Sequence, residues 1–339
     1  MSTNGLTVAI VGATGAVGEE MRNILAERRF PVSRLVPLAS ERSAGQAIEW
    51  RGEEYIVEVL NEASFEGVDV ALFSAGGSIS EKYAPIAADA GCYVVDNSSA
   101  FRMTAGVPLV VPEVNPEALN SDSLIIANPN CSTIQKVVAL QPLHALANLT
   151  RVIASTYQSA SGAGREAMDE LRDQTVDLLN FRQPKTAKFA RRLAFDTIPQ
   201  IDVFKDDGFT KEEHKMIFET RKIMALPELN VCATCVRVPV FVGHAMSINA
   251  EFSKPISLEA AMDALDAAPG VVLHRDPADF PVAADAQGAD EVHVGRMRVD
   301  PSAENALAFW VVADNLRKGA ATNAVQIAEL LNEAGRLAS

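Results

Sequence analysis

Leu6-Thr7-Val8-Ala9-Ile10-Val11-Gly12-Ala13-Thr14-Gly15-Ala16-Val17-Gly18 is the stretch from which the fold class can be read. Its first six residues form an apolar run, the pattern of a parallel strand buried on both faces. Glu19 to Arg28 follows with the spacing of a helix. Between the two, the glycines permit a tight turn and let backbone N–H groups approach a pyrophosphate at the helix N-terminus. The spacing is G-x-x-G-x-x-G rather than the more usual G-x-G-x-x-G, so the strand–turn–helix context carries the reading. Gly12, Thr14, Gly15, Ala16 and Val17 are the candidate contacts to a dinucleotide.

The second strand, Arg34 to Leu38, ends in Ala39-Ser40-Glu41-Arg42-Ser43. In a doubly wound nucleotide-binding sheet this end lies at the ribose. Ser40, Arg42 and Ser43 together suit a 2′-phosphate and hence NADP; Glu41 is the competing reading, a carboxylate on an NAD ribose. Further strands are expected over 53–60, 68–74, 92–95, 107–111 and 124–127, with a helix over 80–90. Beyond them come a longer alternating strand (151–158), a flexible loop (159–164), helices over 165–179 and 210–224, an irregular stretch (183–207), and strands over 230–242, 245–252 and 307–313. A helix over 257–267, a loop-rich stretch with short strands from 271 to 301 and a last helix over 320–334 complete the chain. The prediction is an α/β fold with two parts. A Rossmann-type NADP-binding domain covers residues 1–130, and a mixed α+β catalytic and dimerisation domain covers 131–317. The C-terminal helix, residues 318–337, packs back on the first.

Composition narrows the function classes. A chain of 339 residues has material for two cores. A net charge of −14 argues against nucleic acid and anionic membrane surfaces as partners, since both need a basic face. No apolar run approaches the ~18 residues of a membrane span, and the first residues lack the features of a signal peptide, so a cytoplasmic protein is expected. Cys92, Cys131, Cys232 and Cys235 are too few and too spread for a disulfide framework. Cys232 and Cys235 fall three apart on an expected strand and so face opposite sides; no metal site is expected.

Chemistry concentrates at Asn128-Pro129-Asn130-Cys131-Ser132-Thr133. Asn-Pro-Asn stops a strand, and the apolar run from Ile134 to Leu143 reads as a helix with Ser132 or Thr133 as its N-cap. Cys131 then lies at or just before a helix N-terminus, where backbone N–H groups and the helix dipole favour a thiolate. A buried structural cysteine is the alternative. Arg102 follows a strand's carboxyl end, a place for an anion ligand, though a surface arginine reads the same way. Glu212 and Lys215 share a helix face, as ligands or as a solvated ion pair. Arg237 interrupts an apolar strand, where an unpaired charge is costly, so it should face a ligand or a carboxylate. His244 follows Gly243 at a strand end, a position for a base.

With these assembled, the chain resembles the aspartate-semialdehyde dehydrogenases over nearly its full length. The resemblance rests on Gly12 to Gly18, Ser40 to Gly45, Asn128 to Thr133, Gln158 to Gly164, Glu212 to Lys215, Arg237 to His244 and Asp314 to Ala320. It implies NADPH-dependent reductive dephosphorylation of L-aspartyl-4-phosphate to L-aspartate 4-semialdehyde, a step towards lysine, diaminopimelate, methionine and threonine. It further implies that Cys131 forms the acyl-enzyme, His244 is the acid/base and Gln158 orients the intermediate. Arg237 would clamp the α-carboxylate, and Glu212 or its neighbour Glu213 would hold the α-amino group. Arg102, Lys215 and Asn130 would bind phosphate, while Asn315, Ser161 and Gly162 would place the nicotinamide. A homodimer or homotetramer is implied and no metal is required. Two other readings stay open: a reductase of another acyl phosphate such as N-acetylglutamyl phosphate, and a catalytically silent nucleotide-binding paralogue.

Overall fold

The computed structural model describes residues 5–337. The chain divides into two compact units, one running to Asn130 and resuming at Ala320, the other Cys131–Gly319.

The first unit opens with β1 (Leu6–Val11), α1 (Ala16–Glu27) and β2 (Val32–Ala39). A hairpin of β3 (Ala47–Trp50) and β4 (Glu53–Ile56) follows, then β5 (Glu58–Val59), β6 (Val70–Phe73), α2 (Gly77–Asp89), β7 (Tyr93–Asp96) and β8 (Ile125–Ala127). Six strands form a sheet in the order β5-β2-β1-β6-β7-β8, and every pair in it is parallel. The apolar run of β1 is continuous because both faces are covered. Val8 and Ile10 pack with Met21, Ile24 and Leu25 of α1 and with Val325, Ala328 and Leu331 of the C-terminal helix, Thr322–Glu333. Ala9 and Val11 point the other way, against Phe65, Ala84 and Ala87. Each fully buried Leu or Ile contributes about 1.5–3 kcal/mol. Arg28 and Glu329 form a two-pronged pair, 2.8 and 2.7 Å, where the C-terminal helix meets α1.

The second unit contains α3 (Cys131–Ala147), β9 (Leu149–Gln158), α4 (Arg165–Leu179), α5 (Lys211–Ile223), β10 (Asn230–Arg237) and β11 (His244–Phe252). They are followed by α6 (Leu258–Asp266), β12 (Val271–Leu273), β13 (Val292–Val299) and β14 (Ala306–Ala313). Its sheet runs β10-β9-β11-β14-β13-β12 and mixes parallel and antiparallel pairs. Helices α3, α5 and α6 pack against it. β10 runs parallel to β9 with Arg237 opposite Gln158, and β11 runs antiparallel to β9 with Ala245 opposite Tyr157. That register gathers Gln158, Arg237 and His244 at one end of the sheet.

Several local expectations are corrected. Residues 53–60 are not one strand: β4 pairs with β3, β5 pairs with β2, and buried Val57 is the switch between them. Residues 107–111 form only a bridge, Leu109 to Ala127, because Pro108 and Pro112 offer no ladder donors. β10 stops at Arg237 instead of running to Val242. Pro239 interrupts it, and the carbonyls of Val240 and Phe241 accept from the Ala160 and Ser161 N–H groups instead. α1 begins at Ala16, inside the glycine motif, and α3 begins at Cys131, so Ser132 and Thr133 are helix residues rather than caps. The stretch from 271 to 301 holds an eight-residue strand, β13.

Gly12 has φ +91°, and a Cβ on Gly18 would lie 2.2 Å from the Gly12 carbonyl oxygen. The first glycine supplies the turn, and the last lets α1 lie directly against β1. Replacing Gly18 with Ala should therefore push the helix off the strand. The expected cost is about 1–3 kcal/mol, read as a lowered midpoint in chemical denaturation, with nucleotide binding weakened in parallel.

Candidate active site

The first unit holds a cleft of about 470 Å³ beside the glycine turn. Gly12, Thr14 and Gly15 line one wall; Ser40, Glu41, Arg42 and Ser43 line the end of β2; Ile79 and Tyr83 of α2 add apolar surface. A Cβ on Gly15 would have nothing nearer than the Gly12 oxygen at 3.4 Å, so the space above the turn is open to a ligand. Ala16 and Val17 form the first turn of α1 and are not part of the lining. Ser74, Ile79 and Tyr83 were not singled out from sequence. The small-residue loop Ala75-Gly76-Gly77-Ser78, expected from sequence to let a cofactor lie close to the backbone, follows the first of them directly, and Ala75 is in the lining.

Arg102 is buried in the same unit. Its Nε donates to the Asn128 carbonyl and its Nη2 to the Asn97 carbonyl, each at 2.9 Å. Asp96 organises that loop by accepting from Ser80 Oγ, Ser98 Oγ and Ser98 N–H. Asn128 joins the C-terminal helix through Asn323 Nδ2, which donates to its side-chain oxygen at 2.6 Å. Asn130, also buried, ends this part of the chain.

The second unit brings together Cys131, Gln158, Glu212, Arg237 and His244. Cys131 is the first residue of α3 and is partly exposed. A Cβ on Gly319 would lie 3.0 Å from the Cys131 Cβ, so only glycine fits beside it. Arg237 is buried and donates through Nη1 to the Ser159 carbonyl. Burial pulls its guanidinium below the ordinary value, while Glu212 and then Cys131 oppose the shift. Glu212 accepts from Gln158 Nε2 at 3.4 Å and from Lys215 Nζ at 3.0 Å. Burial works against the Lys215 ammonium, but Glu212 and Asp202 more than offset it and raise its pKa. Asp202, 3.0 Å from Lys215, lies in the irregular stretch and was not picked out from sequence.

Glu212 and Glu213 have different work. Glu213 closes a capping box with Thr210 and accepts the Cys235 N–H at 2.9 Å. Its carboxylate is committed to the fold, whereas that of Glu212 faces Gln158, Lys215 and Arg237.

His244 is fully buried, and its pKa is pushed down to about 3, first by burial and then by Arg237. It is neutral near pH 7. Its Nδ1 accepts the Ser159 N–H at 3.1 Å. A Cβ on Gly162 would lie 3.1 Å from His244 Nε2 and 3.0 Å from Arg237 Nη1, so Gly162 leaves the space beside both. The 159–164 loop, expected to be flexible, holds a 3₁₀ turn over Ala160–Ala163, in which Ala160 and Ser161 are buried while Gly162 and Ala163 are exposed. Asn315 holds it: its Oδ1 accepts from Ser159 Oγ, Ser161 Oγ and the Gly243 N–H.

Cys232 is exposed on β10 and Cys235 is buried, with burial pushing the latter's thiol well up. Among the described residues no group of three or more His, Cys, Asp or Glu is arranged to hold a metal ion, and no helix is long and apolar enough to cross a membrane.

Comparison with known proteins gives this geometry a family. Residues 7–122 match the family model "Semialdehyde dehydrogenase, NAD binding domain", and residues 140–318 match "Semialdehyde dehydrogenase, dimerisation domain". The aspartate-semialdehyde dehydrogenase of Aquifex aeolicus is 55% identical over 337 residues, covering 98% of this chain and 99% of that one. That of Bacillus subtilis is 50% identical over 339 residues, covering 97% and 98%. The crystal structure of aspartate semialdehyde dehydrogenase II from Vibrio cholerae is similar with a TM-score of 0.96 and 53% identity, covering 97% of this chain and 99% of that one. The Vibrio cholerae enzyme complexed with ASA gives the same TM-score, 0.96, at 52% identity. Nearly complete coverage in both directions leaves one conclusion: this chain, an oxidoreductase with an NAD(P)-binding domain, belongs to the aspartate-semialdehyde dehydrogenase family.

Proposed function

We propose that the protein reduces L-aspartyl-4-phosphate to L-aspartate 4-semialdehyde with NADPH, reversibly, through a thioester on Cys131. The observation that carries this reading is the placement of Cys131 at the start of α3, in the field of Arg237, in the unit that also holds His244 and Gln158. In the reductive direction the Cys131 thiolate attacks the acyl carbon, the C–O bond to phosphate breaks, and inorganic phosphate leaves. Gly12, Thr14 and Gly15 at the glycine turn would hold NADPH, which would supply the hydride that reduces the thioester carbon. The adduct then collapses, expelling the thiolate and releasing the aldehyde. Gln158 orients the acyl group and His244 acts on its oxygen as acid/base.

The same surroundings suit the rest of the substrate. Arg237 offers a fork for the α-carboxylate. Glu212 is the partner for the α-ammonium group, since Glu213 is committed to the capping box. A free ammonium requirement disfavours an N-acylated substrate. Lys215, kept protonated by two carboxylates, and Arg102, with Asn130, are assigned to phosphate. Ser40, Arg42 and Ser43 are assigned to the 2′-phosphate of NADPH. Ser161, Gly162 and Asn315 are assigned to the nicotinamide end. The biosynthetic place is towards lysine, diaminopimelate, methionine and threonine, in the cytoplasm. A homodimer would form through the second unit, where Tyr157 is exposed and packs against Trp310, 5.3 Å between ring centroids.

Two outcomes test the assignment. Cys131→Ala should lose turnover by at least ~10³-fold while NADPH titrates as before by fluorescence; residual turnover near the parent rate would remove Cys131 from the chemistry. Arg42→Ala should weaken NADPH about tenfold or more and change NADH little. Equal losses for the two cofactors would point to Glu41 and an NAD ribose instead.

A further inference from the structure

Ser159 meets His244 twice, and neither contact follows from the motifs. Its backbone N–H donates to Nδ1 at 3.1 Å, and its Oγ lies 3.1 Å from the same nitrogen. An imidazole nitrogen that accepts an N–H carries no proton of its own, so in neutral His244 the proton sits on Nε2. The hydroxyl is itself held. It lies 3.0 Å from Asn315 Oδ1 and 3.0 Å from Ser161 Oγ. Asn315 Oδ1 also accepts the N–H of Gly243, the residue before His244, at 2.9 Å. One amide therefore ties down both the donor to the ring and the backbone that carries the ring. Gln135 Nε2 donates to the His244 carbonyl at 3.3 Å from the α3 side. At the far edge of the ring, Nε2 is buried and has no hydrogen-bond partner among the described residues.

We propose that Ser159, clamped by Asn315, is a positioning residue that locks His244 in its Nε2–H tautomer, so that His244 meets the acyl oxygen as a hydrogen-bond donor. The donor role rests on the function proposed above; the lock itself does not. An unpartnered buried N–H is a pre-oriented donor for negative charge that develops on an oxygen. The same ring, with its lone pair turned towards Ser159, is not arranged to take the Cys131 thiol proton through Nε2. The charged groups acting on the ring are Arg237 on β10 and Glu212 on α5, the first disfavouring and the second favouring imidazolium. Cys131, on α3, acts on Arg237. The loop supplies hydroxyls and backbone only.

The test has one readout that needs no turnover. The protein contains five histidines. Long-range ¹H–¹⁵N correlation spectra of ¹⁵N-histidine-labelled resting protein, with His244 assigned from the His244→Asn spectrum, report which ring nitrogen is protonated. The expected result is protonated Nε2 and bare Nδ1 from about pH 5 to 8. Protonated Nδ1 would overturn the lock whatever the enzyme's substrate. Ser159→Ala keeps the backbone N–H but removes the hydroxyl through which Asn315 holds it, and Asn315→Ala removes the clamp itself; in both variants a population with protonated Nδ1 should appear and the neutral form should lose part of its support. The imidazole should then protonate at higher pH, and the acid limb of kcat should move upward by roughly one pH unit. A merely structural role would lower folding stability and leave the tautomer and the limb in place, which would also overturn the proposal. If the tautomer shifts as expected but the kcat limb stays, the lock stands and the donor role fails.

Discussion

Strand register is the constraint on which the second unit depends. β9 and β10 run parallel and end together, so Gln158 and Arg237 are neighbours by hydrogen bonding rather than by side-chain preference. β11 enters antiparallel on the other side of β9, which puts its first residue, His244, at the same end. A slip of one residue in either pairing would turn an inward side chain to the opposite face. The polar groups at this end are held on backbone ladders, and helix α3 adds Cys131 at its own first position. Loops then lock the arrangement: Asn315 grips Gly243, Ser159 and Ser161, and Arg237 grips the Ser159 carbonyl.

Burial gives these groups their chemistry and also their cost. Buried charges need partners, and this unit supplies them in sequence: Glu212 between Gln158 and Lys215, and Asp202 on the far side of Lys215. Lys136, wholly buried on α3, donates to the Met216 carbonyl, and burial pulls its pKa down to about 7. Where no charge is needed the structure uses neutral groups. His244 is kept uncharged, and Asn315 and Gln135 hold its surroundings without adding charge. A ring buried beside Arg237 and held neutral can donate a hydrogen bond without adding a second cation to the pocket.

The nucleotide-binding half was readable because one stretch satisfies three requirements at once. The apolar run of β1 needs cover on both faces, Gly12 needs a positive φ, and Gly18 needs contact with the strand. Helix starts were less readable: periodicity pointed to Glu19, but the helix begins at Ala16, since small residues after Gly15 carry no periodic signal. Prolines decided the misread strands. Pro108, Pro112 and Pro239 sit in β-rich runs, yet each withholds an N–H, and the ladders stop beside them. The polar clusters were legible as residue types and not as partners. Nothing in the spacing distinguishes Glu212 from Glu213. Only the capping box, which depends on where α5 starts, commits one of them to the backbone. Ser159 and Asp202 were hidden for a similar reason, because their roles come from contacts more than ten residues away in sequence.

In the oxidative direction of the proposed reaction, the acyl group passes from the Cys131 thioester to phosphate. The most direct measurement is the near-ultraviolet absorbance of NADPH formed from NADP⁺ and L-aspartate 4-semialdehyde, with and without inorganic phosphate. Formation that depends strictly on phosphate is expected, because phosphate is the acceptor that would release the acyl-enzyme. Equal formation without phosphate would contradict it, making water the acceptor and the protein a hydrolytic aldehyde dehydrogenase.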